Sequence, residues 1–154
     1  MGTRSLTHVK DETGATLVTI YRQYDGYPTG QGDDIKAALG ARQMVNGYND
    51  AMTQVNGIGD AAAILITAMK LGTAAAGNST GPIVAGGVYI QTPGETDAGQ
   101  DYTYTLFPAE STGEGWKQVP GALQLTVESY GETLYSGPLA KFDGATVEAQ
   151  GDDD

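Results

Sequence analysis

The sequence predicts an α+β fold: a mostly antiparallel sheet made of three hairpins, with two helices packed on one face. Two observations lead to this prediction. Three pairs of short segments rich in β-branched and aromatic residues each flank a turn sequence, which is typical of β-hairpins. Two segments between the first and second pairs have the apolar spacing of helices. Strands that follow one another without alternating helices favour antiparallel pairing and a sheet covered on one face.

The three predicted hairpins join residues 4–10 to 15–24, 86–93 to 101–108, and 122–131 to 132–139. The first turn, DETG, supplies Asp and Gly, and Tyr130-Gly131 forms the third turn. In the second pair, polar and apolar side chains alternate on either side of GETDAGQ. Such alternation is expected of strands with one buried face.

The two predicted helices cover residues 32–40 and 59–72. The first has Gly32 or Asp33 as its cap, acidic residues in its first turn and Gly40 as its stop. The second begins with Asp60 as the N-cap and has an apolar stripe. Residues 41–57 stay ambiguous because two Asn-Gly turn signals interrupt any helical pattern.

The chain has 154 residues, which fits one domain over residues 1–150. From Asp143 onward we expect frayed structure, with residues 151–154 as a disordered acidic tail. There are no cysteines, which excludes disulfides and thiolate metal sites and fits a reducing cytoplasm. The most apolar run, AAAILITAM, is too short to span a membrane. We therefore expect a soluble protein without membrane association.

The formal net charge is −11 and the isoelectric point is about 4.2. From residue 71 onward two lysines face twelve acidic residues. A broad face for nucleic acid needs clustered Lys and Arg, so nucleic-acid binding is not expected. In residues 1–50 five basic side chains balance six acidic ones. A small anion site in this part of the chain is compatible with the composition.

Residues 21–32, YRQYDGYPTGQG, combine aromatic, charged and glycine residues between a predicted strand and a predicted helix. Strand alternation places Arg22 on an apolar stripe with Val18 and Ile20. A buried guanidinium needs an anionic partner, since an unpaired buried charge costs several kcal/mol. Two interpretations of this segment follow.

In the structural interpretation, Asp25, Asp33 or Asp34 pairs with Arg22 and the segment is a tight corner. In the functional interpretation, Arg22 and Arg4 bind a phosphate or carboxylate, while Tyr24 or Tyr27 stacks on a ring. Gly30 to Gly32 would then present backbone N–H groups at a helix N-terminus. The predicted ligand-binding residues are Arg4, Arg22, Tyr24, Asp25, Tyr27, Gly30 and Gly32.

Other features carry less information about function. His8 is the single histidine, and we expect it to be a partly exposed strand residue. Tyr89, Tyr102 and Tyr104 on neighbouring strands are expected to form cross-strand pairs, although tyrosines also make walls for a nucleobase. The sequence suggests no catalytic residues, no metal ligands and no cofactor.

The opening MGTRSLT and the motif YRQYDGYP, followed by VNGIGDAAA and GGVYIQTP, resemble those of a family of small uncharacterised proteins encoded by phages and prophages. The resemblance covers residues 1–107 and brings no catalytic residues with it. It implies a phage accessory protein that acts in the cytoplasm of the host bacterium.

Three classes of function stay open. A protein that sequesters a small anionic, nucleotide-derived immune signal, as a counter-defence sponge, needs an arginine, aromatic rings and backbone donors, but no general base. An enzyme that cleaves such a nucleotide would have to rely on carboxylates, tyrosines or an oxygen-bound metal. An acidic protein-interaction module, such as a DNA mimic that inhibits a host defence protein, would use the acidic second half. We expect a nucleotide-like ligand that is bound and not turned over. We also expect a homo-oligomer, because hairpins leave exposed strand edges.

Overall fold

The computed structural model describes residues 2–47, 50, 52–75, 86–113 and 121–152. The strands in these ranges are β1 (Ser5–Lys10), β2 (Thr16–Arg22), β3 (Gln43–Val45), β4 (Gln54–Asn56), β5 (Val88–Gln91), β6 (Tyr102–Pro108), β7 (Leu123–Ser129) and β8 (Glu132–Pro138). The helices are α1 (Asp33–Leu39), α2 (Gly57–Ala75) and α3 (Gly144–Asp152), with a π-helical turn at Pro28–Gly32 and a 3-10 turn at Leu139–Lys141.

Six strands form one sheet in the order β5-β2-β1-β6-β7-β8. Every neighbouring pair is antiparallel except β1 and β6, which are parallel. The α+β class and the mostly antiparallel sheet are therefore confirmed. The first and third hairpins are also confirmed, as β1–β2 and β7–β8.

The second predicted hairpin is wrong. β5 pairs with β2, and β6 pairs with β1 and β7, so the β1–β2 hairpin lies between them. The connection over residues 92–101 crosses β2 and β1. It is hydrogen-bonded to β2, where the Gly94 N–H donates to Thr19 Oγ1, and next to the start of β1, where the Asp101 N–H donates to the Arg4 carbonyl. Alternating strands do not identify their partners when the loop between them is long enough to cross a hairpin.

Both predicted helices are present. The second begins at Gly57, one turn earlier than expected, so Asp60 is not its N-cap. Asp60 Oδ2 accepts the N–H of Asn56 at 2.8 Å and so closes the first turn from inside the helix. The ambiguous stretch before α2 contains β3 and β4, a short parallel pair.

The fold has three helices among its described residues, where two were predicted. We expected the chain to fray from Asp143, but Gly144–Asp152 forms α3, and Val147 is buried in the core. Asp143 starts this helix by accepting hydrogen bonds from Ala145 N–H and Thr146 Oγ1. Of the predicted tail, residues 153 and 154 lie outside the described residues.

The sheet has two differently covered faces. On the face that we call the helix face, α2 and the π-helical turn cover Thr7, Val9, Ile20 and Tyr104, among others. On the opposite face, which we call the loop face, residues 92–101 cross a layer that contains Leu6, Thr19 and Tyr21. No helix in these described ranges is long and apolar enough to cross a membrane.

Candidate functional site

The Arg22 side chain is buried under the helix face, with 6% of it exposed. Its Nη1 lies 2.6 Å from Asp34 Oδ2 and also donates to Gln31 Oε1 at 2.8 Å. Its Nε donates to the Tyr24 carbonyl oxygen at 2.6 Å. The partner expected among three aspartates is therefore Asp34, at the start of α1, as in the structural interpretation.

Gln31 extends these contacts into the core. It is fully buried, and its Nε2 donates to Thr7 Oγ1 at 2.9 Å and to Met69 Sδ at 3.4 Å. We call Arg22, Asp34, Gln31 and Thr7 the Arg22 network. The network contains residues of β2, α1, the π-helical turn and β1. Its hydrogen bonds hold the turn against the sheet. The sequence analysis did not identify Gln31 as a site residue. The only feature that marks it is that a polar residue lies in a buried turn.

The segment around Asp25 is a compact corner. Asp25 has a positive φ of 60°, and its carbonyl oxygen accepts the Gln31 N–H at 2.9 Å. The Tyr27 hydroxyl donates to Asp25 Oδ1 at 3.0 Å. This hydrogen bond and the charge of the carboxylate raise the pKa of Tyr27, because both oppose formation of a phenolate.

Gly30 and Gly32 let the corner pack closely. A Cβ atom at Gly30 would fall on the carbonyl oxygen of Asp25, and one at Gly32 would lie 2.5 Å from the ring of Phe142. The Gly30 N–H donates to the Tyr27 carbonyl at 2.8 Å. The Gly30 N–H is therefore used within the chain.

Arg4 lies just before β1, on the loop face. Its backbone is fixed by Asp101, whose Oδ2 accepts the Arg4 N–H at 3.1 Å and whose N–H donates to the Arg4 carbonyl at 3.0 Å. Its guanidinium reaches toward Gly99, where a Cβ atom would lie 3.0 Å from Nη1. Within the part of the chain that the structure describes, the ion pair is that of Arg22 with Asp34, and Arg4 has no carboxylate partner.

Three tyrosines lie near one another on this side of the sheet, and one of them, Tyr21, is within electrostatic range of Arg4. The rings of Tyr21 and Tyr89 are 4.7 Å apart on paired residues of β2 and β5. Burial raises the pKa of Tyr21, and the nearby charge of Arg4 opposes that shift. Tyr24 follows β2, and its ring lies against Gly2 and Gly87. Tyr24 is 59% exposed and Tyr89 is 50% exposed. We call Arg4, Tyr21, Tyr24 and Tyr89 the Arg4–tyrosine surface.

The structure thus divides the predicted site residues into two groups. Arg22, Asp25, Tyr27, Gly30 and Gly32 form or support the corner beneath the helix face. Arg4 and Tyr24 lie on the Arg4–tyrosine surface. Tyr89 joins them because β5 pairs with β2, whereas the predicted pairing with β6 associated it with Tyr102 and Tyr104.

Two open cavities lie elsewhere. One, of about 350 Å³, lies on the outer side of α2 and is lined by Ala63, Ile64, Thr67 and Ala68. The other, of about 520 Å³, has Asp33 and Lys36 in its lining. The Lys36 amine already donates to the Phe142 carbonyl oxygen at 2.6 Å. Neither lining contains an aromatic residue on which a base could stack.

Comparison of the chain with protein-family models, with curated proteins and with solved structures gives no match.

Proposed function

We propose that this protein binds a small anionic, nucleotide-like ligand at the Arg4–tyrosine surface and holds it without chemical change. The observation that carries the proposal is the Arg4 guanidinium, which has no carboxylate partner among the described residues and lies near Tyr21, whose ring is 4.7 Å from that of the half-exposed Tyr89. The ligand contact that we predicted for Arg22 moves to Arg4 in this proposal, because the Arg22 guanidinium already bonds Tyr24, Gln31 and Asp34.

The chemistry of the surface suits such a ligand. A guanidinium offers a planar set of N–H donors that matches two oxygens of a phosphate. The rings of Tyr24 and Tyr89 supply faces on which a base can stack, and base–aromatic stacking contributes about 1–3 kcal/mol. The backbone of Arg4 is fixed by Asp101, so binding need order only the arginine side chain.

Binding alone requires no general base at this surface, which is why we favour sequestration over turnover. The resemblance to phage-encoded proteins supports a setting in the cytoplasm of an infected bacterium. There the protein would act as a counter-defence sponge that captures a nucleotide immune signal. An interaction with a defence protein through the acidic half of the chain would not require Arg4, so the same variants separate the two functions.

The test is incubation of the protein with a panel of cyclic and ADP-ribose-derived nucleotides, followed by removal of free ligand, heat release and mass analysis. Recovery of one nucleotide with unchanged mass is the expected result. A changed mass would show an enzyme, and no retained nucleotide would overturn the proposal.

Arg4→Ala should abolish retention with little change in the melting temperature. The matched control is Lys10→Ala, which removes one positive charge from the other end of β1. Equal loss of retention in both variants would point to overall charge and not to a site.

A further inference from the structure

β5 is an outer strand of the sheet and has one partner, β2, among the described strands. Its residues, VYIQ, carry no charge. The opposite outer strand, β8, begins with Glu132, ends at Pro138, has a register irregularity opposite Val127 and Glu128, and contacts α3. Charges, bulges, prolines and covering helices are the means by which proteins protect sheet edges. β5 has none of these protections within its own residues.

The free edge of β5 has a definite set of backbone groups. The Gln23 N–H donates to the Gly87 carbonyl at 2.7 Å, one pair beyond the β2–β5 register. Hydrogen-bonded and non-hydrogen-bonded pairs alternate along an antiparallel ladder. Tyr89 therefore directs its backbone groups to β2, whereas Val88 and Ile90 direct theirs away from it.

The side chains at this edge are apolar or aromatic and accessible. Ile90 is 59% exposed on the helix face, and Tyr89 is 50% exposed on the loop face. Exposed apolar side chains beside a free strand edge mark a surface that pairs with another strand.

The charge distribution indicates which strand would pair with the edge of β5. The chain carries a net charge of −11, yet residues 71–94 contain no Asp, Glu, Lys or Arg. A basic partner would find no carboxylate in this stretch to pair with. A second copy of the chain would meet no like charge there, and an antiparallel pair of identical strands is self-complementary about a two-fold axis.

We infer that two copies of this protein pair antiparallel through β5 and form one continuous sheet. Val88 of each copy exchanges backbone hydrogen bonds with Ile90 of the other, and the two Tyr89 residues face each other at the two-fold axis. Both Tyr89 rings then lie on the loop face, so a row of rings from Tyr21 to Tyr89 continues into the second copy. The inference goes beyond the proposed function, and its tests use protein without ligand.

The first test is the mass of the free protein by light scattering at micromolar concentration. We expect twice the chain mass of 15.9 kDa, and the mass of a single chain would overturn the inference. Ile90→Pro removes a backbone N–H that points away from β2, so no hydrogen bond to β2 is lost. Ile90→Lys adds a charge at the same edge. Both variants should be monomeric, whereas Ser136→Lys on β8 should stay dimeric. Folding of each variant is checked by circular dichroism.

The second test uses the absence of cysteine from the chain. Facing residues of a non-hydrogen-bonded antiparallel pair have Cα atoms about 4.5 Å apart, which falls within the range of about 4.4–6.8 Å for disulfides. Tyr89→Cys should therefore form a disulfide-linked dimer on mild oxidation. Tyr130→Cys, at a more exposed position, is the control and should stay largely unlinked. Equal cross-linking of the two variants, or none at Tyr89→Cys, would refute pairing through β5.

Discussion

Arg22 Nη1 and Asp34 Oδ2 are 2.6 Å apart, but the two side chains have different surroundings: 6% of Arg22 is exposed and 46% of Asp34. The arginine is the buried partner and the aspartate reaches solvent. The two truncations should therefore act differently: removing Asp34 leaves a buried charge without an anion, whereas removing Arg22 leaves Gln31 and the Tyr24 carbonyl without a donor and a carboxylate that reaches solvent.

We predict that Arg22→Ala lowers the free energy of unfolding of the unliganded protein by about 1–3 kcal/mol, since it leaves buried acceptors without a donor. Asp34→Ala should cost at least as much, because it leaves the buried guanidinium with two neutral acceptors and no anionic partner. Urea unfolding of the three proteins measures both effects. A wild-type stability in Arg22→Ala would show that the Arg22 network does not support the fold.

Gly30→Ala should destabilise the protein strongly, because the new Cβ would fall on the Asp25 carbonyl oxygen, which is backbone and cannot turn away. The matched control is Gly59→Ala in α2, where no atom lies within 4 Å of the new Cβ. Replacing a helical glycine with alanine should stabilise by about 0.5–1 kcal/mol. Opposite shifts in melting temperature are therefore expected, and shifts of the same sign would contradict the packing at Gly30.

His8, which we expected to be partly exposed, is buried with 8% exposed and lies 2.8 Å from Thr19 Oγ1, and it should make stability depend on pH. Burial lowers the pKa of His8 below its ordinary value of 6.5, the charge of Lys10 adds to this effect, and Glu128 opposes it. Above pH 6.5 both the folded and unfolded chains hold His8 neutral, so its contribution is fully present. As the pH falls below 6.5, the unfolded chain takes up a proton that the folded chain resists, and stability declines.

The pH effect is measured as the difference in unfolding free energy between the wild type and His8→Gln, from pH 8 to pH 5. The relative stability of the wild type should fall as the solution is acidified. A difference that stays constant across this range would show that His8 has the same pKa in both states.

The sequence analysis gave Tyr24 and Tyr27 as alternative residues for stacking on a ligand ring, and the structure places them in different surroundings. Tyr24 lies on the Arg4–tyrosine surface, whereas the Tyr27 hydroxyl is bonded to Asp25. If the proposed function holds, Tyr24→Ala should weaken nucleotide binding by about 1–3 kcal/mol, while Tyr27→Ala leaves it within a few-fold of wild type. Calorimetric titration with the nucleotide recovered from the panel compares them, and the reverse ranking would place the ligand at the corner.

Local patterns in the sequence predict the two tight hairpins and the two helices well. In each case the turn or stop signal lies within a few residues of the element that it ends, as at Gly40 after α1. The partner of β5 was not predictable in the same way, because its pairing with β2 depends on which strand lies within reach in space. The end of the chain was also misjudged, since Val147 stabilises α3 through burial and not through helix propensity.

For the Arg22 network, the sequence predicted that Arg22 has an acidic partner but not which residue it is. A charged residue within a β-branched strand indicates that a partner must exist, but three aspartates lie close enough in sequence to serve. The choice of Asp34 depends on where the π-helical turn places the start of α1. For Arg4 the sequence offered no comparable constraint, because its neighbours Gly99 and Asp101 lie more than 90 residues further along the chain.

The parallel pairing of β1 with β6 has a consequence for biosynthesis. β1 leaves the ribosome well before its partner β6, which begins at Tyr102. Until β6 emerges, β1 and β2 form a hairpin whose β1 edge is open, although Leu6, Thr7 and Val9 are fully buried in the finished fold. Closing such a distant contact is slow relative to hairpin formation. The nascent chain therefore passes through a stage in which a strand with five buried residues out of six has one edge open to other chains. The time taken to translate residues 23–108 sets how long that stage lasts.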